Sequence, residues 1–160
     1  MPCYLFTLHA YGTWMPDRTR GYVRRDHDGI LPEDLRQADS YRRQMRQPAV
    51  TFNDAQQHMV IDILRAGQGA AGYRLHAASV DPTHVHLLMS WADVRPWDAM
   101  RRSVKQALTK SLNAHFGRRT WFGRGGSRKR VKDPSHFDHL VTNYLPSHHA
   151  LFWREDIKLR

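Results

Sequence analysis

Two histidines, His84 and His86, stand one residue apart in the strand-like run His84–Trp91. Side chains of a strand alternate between its two faces, so a strand here places both imidazoles on one face and Val85 and Leu87 on the other. Two neighbouring imidazoles can chelate a divalent metal and leave positions open for a substrate. The pattern indicates a metal site, and the alternative is the polar face of a half-exposed strand.

Tyr144 is the second candidate for chemistry, because it lies in a polar stretch and His148 follows it four residues later. On a continued helix these two side chains share one face. A phenol can act as a covalent nucleophile when its proton is removed or its developing charge is stabilised. The alternative is that Tyr144 packs at the edge of the core, as an amphipathic tyrosine usually does. Any of the six tyrosines of the chain could have that role. His9 can border the same site if its strand lies beside that of His84, and the favoured alternative is a satisfied histidine of the surface or the core.

The charge balance points to a polyanionic partner. The 160 residues include 25 Lys and Arg against 15 Asp and Glu, a formal net charge of +10, which is typical of proteins that bind nucleic acid. The single cysteine, Cys3, excludes an intramolecular disulfide framework and a cysteine-based zinc site. The basic residues that we expect to contact the polyanion lie on one helix and in a Gly/Arg/Lys-rich stretch: Arg101, Arg102, Lys105, Arg124, Arg128, Lys129 and Arg130.

Periodicity and turn residues predict the elements that position these side chains. Alternation predicts strands and a spacing of three and four predicts amphipathic helices. In chain order we expect a strand at Tyr4–Ala10, a helix from Asp54 to Ala66, a hairpin of strands Tyr73–Ser79 and His84–Trp91, a helix from Pro96 to Phe116, and a helical segment from Pro134 through Tyr144. Pro146 should kink or stop that last segment, and Gly123–Lys132 is predicted to be a loop or a strand edge.

A long charged stretch, Trp14–Pro48, interrupts this order after the first strand. It contains several prolines and glycines and one short polar helix around Pro32–Gln47. We interpret it as an excursion from a single domain of residues 1–160. It is either a DNA-binding addition or an oligomer contact.

The run Val80–Leu88, VDPTHVHLL, resembles the metal-binding hairpin of the single-tyrosine HUH transposases, especially REP-associated and insertion-sequence members. Further segments follow in the order of that family: the basic helix with Val104–Asn113, Trp121, Asp133–His139 and Tyr144–His148. The likeness covers roughly residues 4–12 and 54–153 and leaves the insert outside.

The resemblance implies an α+β fold, a ferredoxin-like βαββαβ core with an antiparallel sheet, plus the basic insert. It also implies that Tyr144 attacks a phosphodiester of single-stranded DNA at hairpin ends and forms a 5′-phosphotyrosine. His84 and His86 are then ligands of Mg²⁺ or Mn²⁺, and His148 occupies the place of the third ligand. Because Pro146 lies between Tyr144 and His148, the choice between His148 and His149 stays open.

Two further properties follow from the resemblance: a homodimer, and a hairpin-bearing single strand as the partner. Whether Tyr144 serves its own or its partner's histidine pair is open. No window approaches the roughly 18 apolar residues of a membrane span, and the start of the chain lacks the pattern of a signal peptide. We therefore expect a cytoplasmic protein without a membrane partner, at the nucleoid when bound to DNA.

Two other functions compete with the transposase. One is a domesticated, catalytically inactive nucleic-acid-binding protein with the same fold. The other is a metal-dependent nuclease that uses water in place of tyrosine. The presence of His84, His86 and Tyr144 together favours the transposase.

Overall fold

An antiparallel sheet forms the centre of the fold. The computed structural model describes residues 1–22, 28–148 and 150–156. Within these ranges the sheet has five strands: β1 (Cys3–His9), β2 (Arg74–Val80), β3 (His84–Ser90), β4 (Ser127–Arg130) and β5 (Leu151–Arg154). Their spatial order is β4-β1-β3-β2-β5.

The helices connect these strands in the predicted order. They are α1 (Leu35–Gln44), α2 (Asp54–Ala66), α3 (Trp97–Phe116) and α4 (Pro134–His139). The succession β1, α2, β2, β3, α3 and β4 is the ferredoxin-like βαββαβ core, so the predicted α+β fold is confirmed. The short strand β5 extends this core beside β2.

Local signals explain where the two long helices begin and end. At the start of α2 the Asn53 side chain accepts from the Gln56 N–H at 2.9 Å, and the Gln56 side chain accepts from the Asn53 N–H at 3.0 Å. This capping box satisfies two amides that a helix start otherwise leaves unpaired. Helix α3 starts after Pro96 and stops at Gly117, whose φ of 90° favours glycine.

The sheet separates two apolar clusters. The larger one lies between the sheet and helices α2 and α3, with Phe6, Val85 and Leu87 fully buried. The smaller one lies on the opposite face, where Leu5 and Leu88 pack against the segment after α4. Because strand residues alternate, the side chains of β1 and β3 that avoid the large cluster point to this second face.

The segment on the second face changes its helical type along its length. Helix α4 is capped by Asp133, whose side chain accepts from the His136 N–H at 2.7 Å. A π-helical turn, Leu140–Tyr144, and a 3₁₀ turn, Pro146–His148, follow without a strand between them. The sequence predicted a helical segment through Tyr144 that Pro146 interrupts, and this is confirmed. The π turn is an addition that no sequence signal indicated.

The insert Trp14–Pro48 contains helix α1. The helix spans Leu35–Gln44, three residues shorter at each end than the predicted Pro32–Gln47. It begins at Leu35 because the Asp34 side chain caps it by accepting from the Gln37 N–H, and it ends at Gln44 because the backbone of Met45 is extended. Met15, Tyr22 and Ala38 are buried in this region. The residues from 23 to 27 lie outside the described residues.

Two further features complete the fold. The stretch predicted as a loop or a strand edge contains the edge strand β4, which pairs with β1. None of the helices in the described ranges has the length and apolar composition that crossing a membrane requires.

Candidate active site

The strand β3 carries His84 and His86 on the face of the sheet opposite the large cluster. In the antiparallel register His84 pairs with His9 of β1 and His86 pairs with Thr7. The rings of His84 and His86 are parallel within 2°, with centroids 5.9 Å apart. The period of two thus puts both imidazoles on one face, as predicted.

His9 joins this pair from the neighbouring strand. Its ring meets that of His84 edge-on, with centroids 4.7 Å apart. Because β1 and β3 are adjacent, the condition under which His9 borders the site is met.

Hydroxyl groups contact the Nδ1 atoms of both strand histidines. The Thr7 hydroxyl lies 2.9 Å from Nδ1 of His86, and the Thr83 hydroxyl lies 2.6 Å from Nδ1 of His84. These contacts orient the rings and leave each Nε2 as the nitrogen available to another partner. Contacts of this kind fix the orientation of metal-binding histidines.

Burial keeps these imidazoles neutral near neutral pH. Desolvation, reinforced by the neighbouring His148 and His84, lowers the pKa of His86 to about 4. Desolvation, reinforced by His84 and Arg18, lowers the pKa of His9 to about 4, and desolvation also lowers the pKa of His84. A neutral imidazole keeps the lone pair that a metal ligand needs.

Tyr144 and His148 approach the pair from the π turn and the 3₁₀ turn. The Tyr144 ring lies 6.1 Å from His86 and 4.7 Å from His148, edge-on in both cases. Tyr144 is 36% exposed and is the most exposed of the six tyrosines, all of which are described. The structure thus brings the predicted nucleophile beside the predicted ligands in one chain.

His148 stacks on His86 with ring centroids 4.4 Å apart and planes 23° apart. Its Nε2 atom is buried and has no hydrogen-bond partner among the described residues. A buried polar atom of this kind ordinarily has a partner, protein or otherwise. Of the two candidates for a third ligand, His148 lies at the site, and His149 lies outside the described residues.

The side chains fit a divalent cation by their chemistry. Imidazoles are suited to first-row divalent ions and accept Mn²⁺ at least as readily as Mg²⁺. Among the described residues, the buried Nδ1 of His9 and the buried Nε2 of His148 have no hydrogen-bond partner. Over the described ranges, however, no three His, Cys, Asp or Glu side chains are already grouped as a metal-binding set. The metal centre therefore stays a prediction.

Three of the seven predicted DNA-binding residues line a separate surface. The exposed face of α3 borders an open groove of about 750 Å³. The groove is lined by residues that include Arg101, Arg102 and Lys105. The Arg101 guanidinium donates to the Gly126 carbonyl at 2.6 Å and the Lys105 ammonium donates to the Gly123 carbonyl at 2.6 Å. These two side chains hold the glycine-rich loop against the helix.

The strand β4 divides its basic residues between the two faces of the sheet. Residues directly opposite on neighbouring strands share a face. Arg128 pairs with Phe6, and its guanidinium lies 3.6 Å from the ring centroid of Trp97, on the α3 face. Lys129 pairs with Leu5 and so lies on the face of Tyr144.

The two remaining residues that were predicted to contact DNA are Arg130 of β4 and Arg124 of the preceding loop. Arg130 pairs with Tyr4 and borders a pocket with Trp97. Arg124 is exposed in the loop between Gly123, whose amide donates to the His9 carbonyl at 2.9 Å, and the strand β4. The loop therefore links the α3 groove to the strand that carries His9.

Three residues of the site were missed as functional candidates. Thr7 could be found only from the pairing of β1 with β3, and Thr83 was assigned only to the turn. Arg18 comes from the insert, and its positive charge lowers the pKa values of His9 and His84, after burial in each case. The alternation of β1 was the one available signal for Thr7.

No protein-family profile matches the chain, and no curated protein sequence matches it significantly. Among solved structures, a REP-associated tyrosine transposase bound to a REP hairpin matches at 15% identity and a TM-score of 0.48, over 92% of this chain and 68% of the other. A Deinococcus radiodurans R1 protein described as a candidate transposase matches at 17% identity and a TM-score of 0.44, over 93% and 92%.

Proposed function

We propose that the chain is a metal-dependent DNA transposase that cleaves and rejoins single-stranded DNA through a 5′-phosphotyrosine on Tyr144. The observation that carries this proposal is the contact of Tyr144 with His86 and His148 within one chain. A tyrosine that served only as packing at a core edge has no need of two histidine rings beside it, one of them buried and with its pKa lowered by desolvation.

His84, His86 and His148 would hold the divalent cation, Mg²⁺ or Mn²⁺. When bound, the cation would neutralise charge on the phosphate and on the leaving 3′-oxygen. The protein contributes rings whose Nδ1 atoms are already held by Thr83 and Thr7, which leaves the Nε2 atoms available.

Tyr144 supplies the nucleophile. A bond forms between its phenolic oxygen and phosphorus, and the bond from phosphorus to the 3′-oxygen breaks. The phenol gives up one proton and the 3′-oxygen takes up one, so the step balances. The bond between Tyr144 and the DNA 5′-phosphate is a phosphodiester like the DNA bond that it replaces. A later 3′-hydroxyl can therefore reverse the step and join strands without another energy source. The exposure of Tyr144 supports access of a DNA strand.

The basic surfaces support a nucleic-acid substrate with two parts. Lys129 lies on the face of Tyr144, where the strand is cut, and the α3 groove lies on the opposite face. We assign the DNA hairpin to the groove, because several phosphates need several cations along one surface. The loop Gly123–Gly126 of the protein lies between the two surfaces, since it contacts His9 of β1 and Arg101 of α3.

The short distance from Tyr144 to His86 of the same chain supports action in cis. The homodimer implied by the resemblance stays a prediction, and gel filtration with light scattering tests it.

Incubation of the protein with labelled hairpin-bearing single-stranded DNA and Mg²⁺ or Mn²⁺, followed by a denaturing gel, tests the function. A covalent protein–DNA band that requires the metal supports a transposase. DNA binding without cleavage supports the inactive nucleic-acid-binding protein instead. Cleavage without a covalent band supports the nuclease that uses water.

A further inference from the structure

The turn between β2 and β3 places a carboxylate behind His84. The Asp81 carboxylate accepts from the backbone N–H groups of Thr83, at 2.7 Å, and His84, at 2.6 Å. The same oxygen lies 3.2 Å from the Thr83 hydroxyl. That hydroxyl is in turn 2.6 Å from Nδ1 of His84. Asp81, Thr83 and the His84 ring therefore form a continuous series of hydrogen-bond contacts.

The number of protons available decides which group donates and which accepts in each of these hydrogen bonds. An ionised carboxylate only accepts hydrogen bonds, and a hydroxyl has one proton to donate. If Thr83 donates to Asp81, its oxygen accepts from Nδ1–H of His84 and both short contacts are hydrogen bonds. If Thr83 donates to Nδ1 instead, the contact with Asp81 is lost. The unprotonated Nδ1 would then also lie 3.5 Å from the negative Asp81 oxygen.

We propose that Asp81, through the Thr83 hydroxyl, is a positioning residue that holds the proton of His84 on Nδ1 and leaves the Nε2 lone pair free for a divalent cation. The use of that lone pair rests on the proposed function. The position of the proton does not, because it follows from the hydrogen bonds of the turn alone.

His86 provides a comparison within the same molecule. Its Nδ1 is contacted by the hydroxyl of Thr7 on β1, whereas the hydrogen bonds of the Asp81 carboxylate go to Thr83 and His84. A change at Asp81 or Thr83 should therefore alter the tautomer of His84 and leave the tautomer of His86 as it is.

Long-range ¹H–¹⁵N correlation spectra of the metal-free, full-length protein report which nitrogen of each histidine carries the proton. We expect His84 of the wild type to be protonated on Nδ1. Thr83→Val removes the hydroxyl at nearly constant volume and should shift His84 toward the Nε2–H tautomer. Asp81→Asn keeps an oxygen acceptor for the turn and removes the charge, so it should give a smaller shift.

Two further variants act as controls. Thr83→Ser restores the hydroxyl and should restore the wild-type tautomer. Asp62→Asn changes an exposed carboxylate on α2 and should change neither His84 nor His86. Protonation of His84 on Nε2 in the wild type, or an unchanged tautomer in Thr83→Val, overturns the proposal.

Calorimetric titration with Mn²⁺ alone tests the consequence for metal binding. Loss of a group that orients a metal-binding histidine typically weakens affinity about 10- to 100-fold, so we expect a loss of about 10-fold or more in Thr83→Val and recovery in Thr83→Ser. Equal affinity of Thr83→Val and the wild type overturns the metal part of the proposal. A changed tautomer supports the role of Asp81 even if no DNA adduct forms, which would contradict only the proposed transposase.

Discussion

His148 lies flat on His86, with ring centroids 4.4 Å apart and planes 23° apart. His86 belongs to the central strand β3, and His148 belongs to the 3₁₀ turn that follows Tyr144. This stack therefore connects the segment that carries the proposed nucleophile to the rigid sheet that carries the proposed ligands. It also leaves Nε2 of His148 buried without a hydrogen-bond partner among the described residues.

Replacing His148 with alanine should weaken metal binding. The variant loses one nitrogen donor, so we expect Mn²⁺ affinity to fall about 10-fold or more, measured by calorimetry. His148→Gln keeps a donor oxygen and should lose less. His115→Ala, which changes an exposed histidine of α3, is the matched control. Wild-type affinity in His148→Ala would contradict its role as a ligand.

Replacing either strand histidine should separate DNA binding from cleavage. We expect His84→Ala and His86→Gln to abolish the metal-dependent covalent adduct, since each removes an imidazole nitrogen from the pair. Hairpin DNA should still bind, because the α3 groove lies on the other face. Gel shift and denaturing gels measure the two properties, with the exposed His58→Ala as control. Adduct formation at the wild-type rate would show that the pair is dispensable.

The π turn should be required for the position of Tyr144. Each residue of a helix turns the chain by about 100°, and π turns commonly arise as a one-residue insertion at functional sites. Insertion of one alanine after the exposed Asn143 should rotate Tyr144 by about 100° away from His86. We expect loss of the adduct with an unchanged circular dichroism spectrum. An insertion variant that still forms the adduct at the wild-type rate would argue against this requirement.

Arg102 of the α3 groove should bind the phosphates of the hairpin. Its side chain is 68% exposed and pairs loosely with Asp98 at 3.6 Å. Arg102→Ala should weaken hairpin binding and lower the slope of log affinity against log salt by about 1, as expected for one phosphate contact. The control is Arg65→Ala on α2, whose guanidinium lies over Trp153. Equal salt slopes for Arg102→Ala and the wild type would show that Arg102 does not contact a phosphate of the DNA.

Stability should fall at alkaline pH through Tyr73. Burial raises the pKa of Tyr73 to about 12, from an ordinary value near 10. Between these values the unfolded chain ionises and the folded chain does not, so folding stability decreases as the pH rises from 10 to 12. Urea denaturation at pH 9 and pH 11.5 should show a smaller decrease in Tyr73→Phe than in the wild type. Identical decreases in stability for Tyr73→Phe and the wild type would show that other titrating groups cause the loss of stability at alkaline pH.

The sequence predicted the core elements because their signals are local. Asn53 and Gly117 mark helix ends, and the alternation around His84 and His86 predicts a strand with both imidazoles on one face. The strand β5 was not predicted, since Leu151–Arg154 offers only four residues and pairs with a strand distant in sequence.

The missed parts of the site depend on long-range pairing. Thr7 reaches His86 only through the register of β1 with β3. The division of Arg128 and Lys129 between two faces likewise follows from the pairing of β4 with β1. Composition alone assigns both residues to one basic surface, because it contains no information on which face each side chain occupies.

The identity of the residue that becomes attached to DNA tests the central claim most directly. The wild type, Tyr144→Phe and Tyr41→Phe, a partly exposed control tyrosine on α1, are incubated with hairpin-bearing single-stranded DNA and Mn²⁺. The adduct is then digested and analysed by mass spectrometry. We predict a nucleotide on Tyr144 in the wild type and in Tyr41→Phe, and no adduct in Tyr144→Phe. A nucleotide on any other residue, or an adduct that persists in Tyr144→Phe, would contradict the assignment of Tyr144 as the nucleophile.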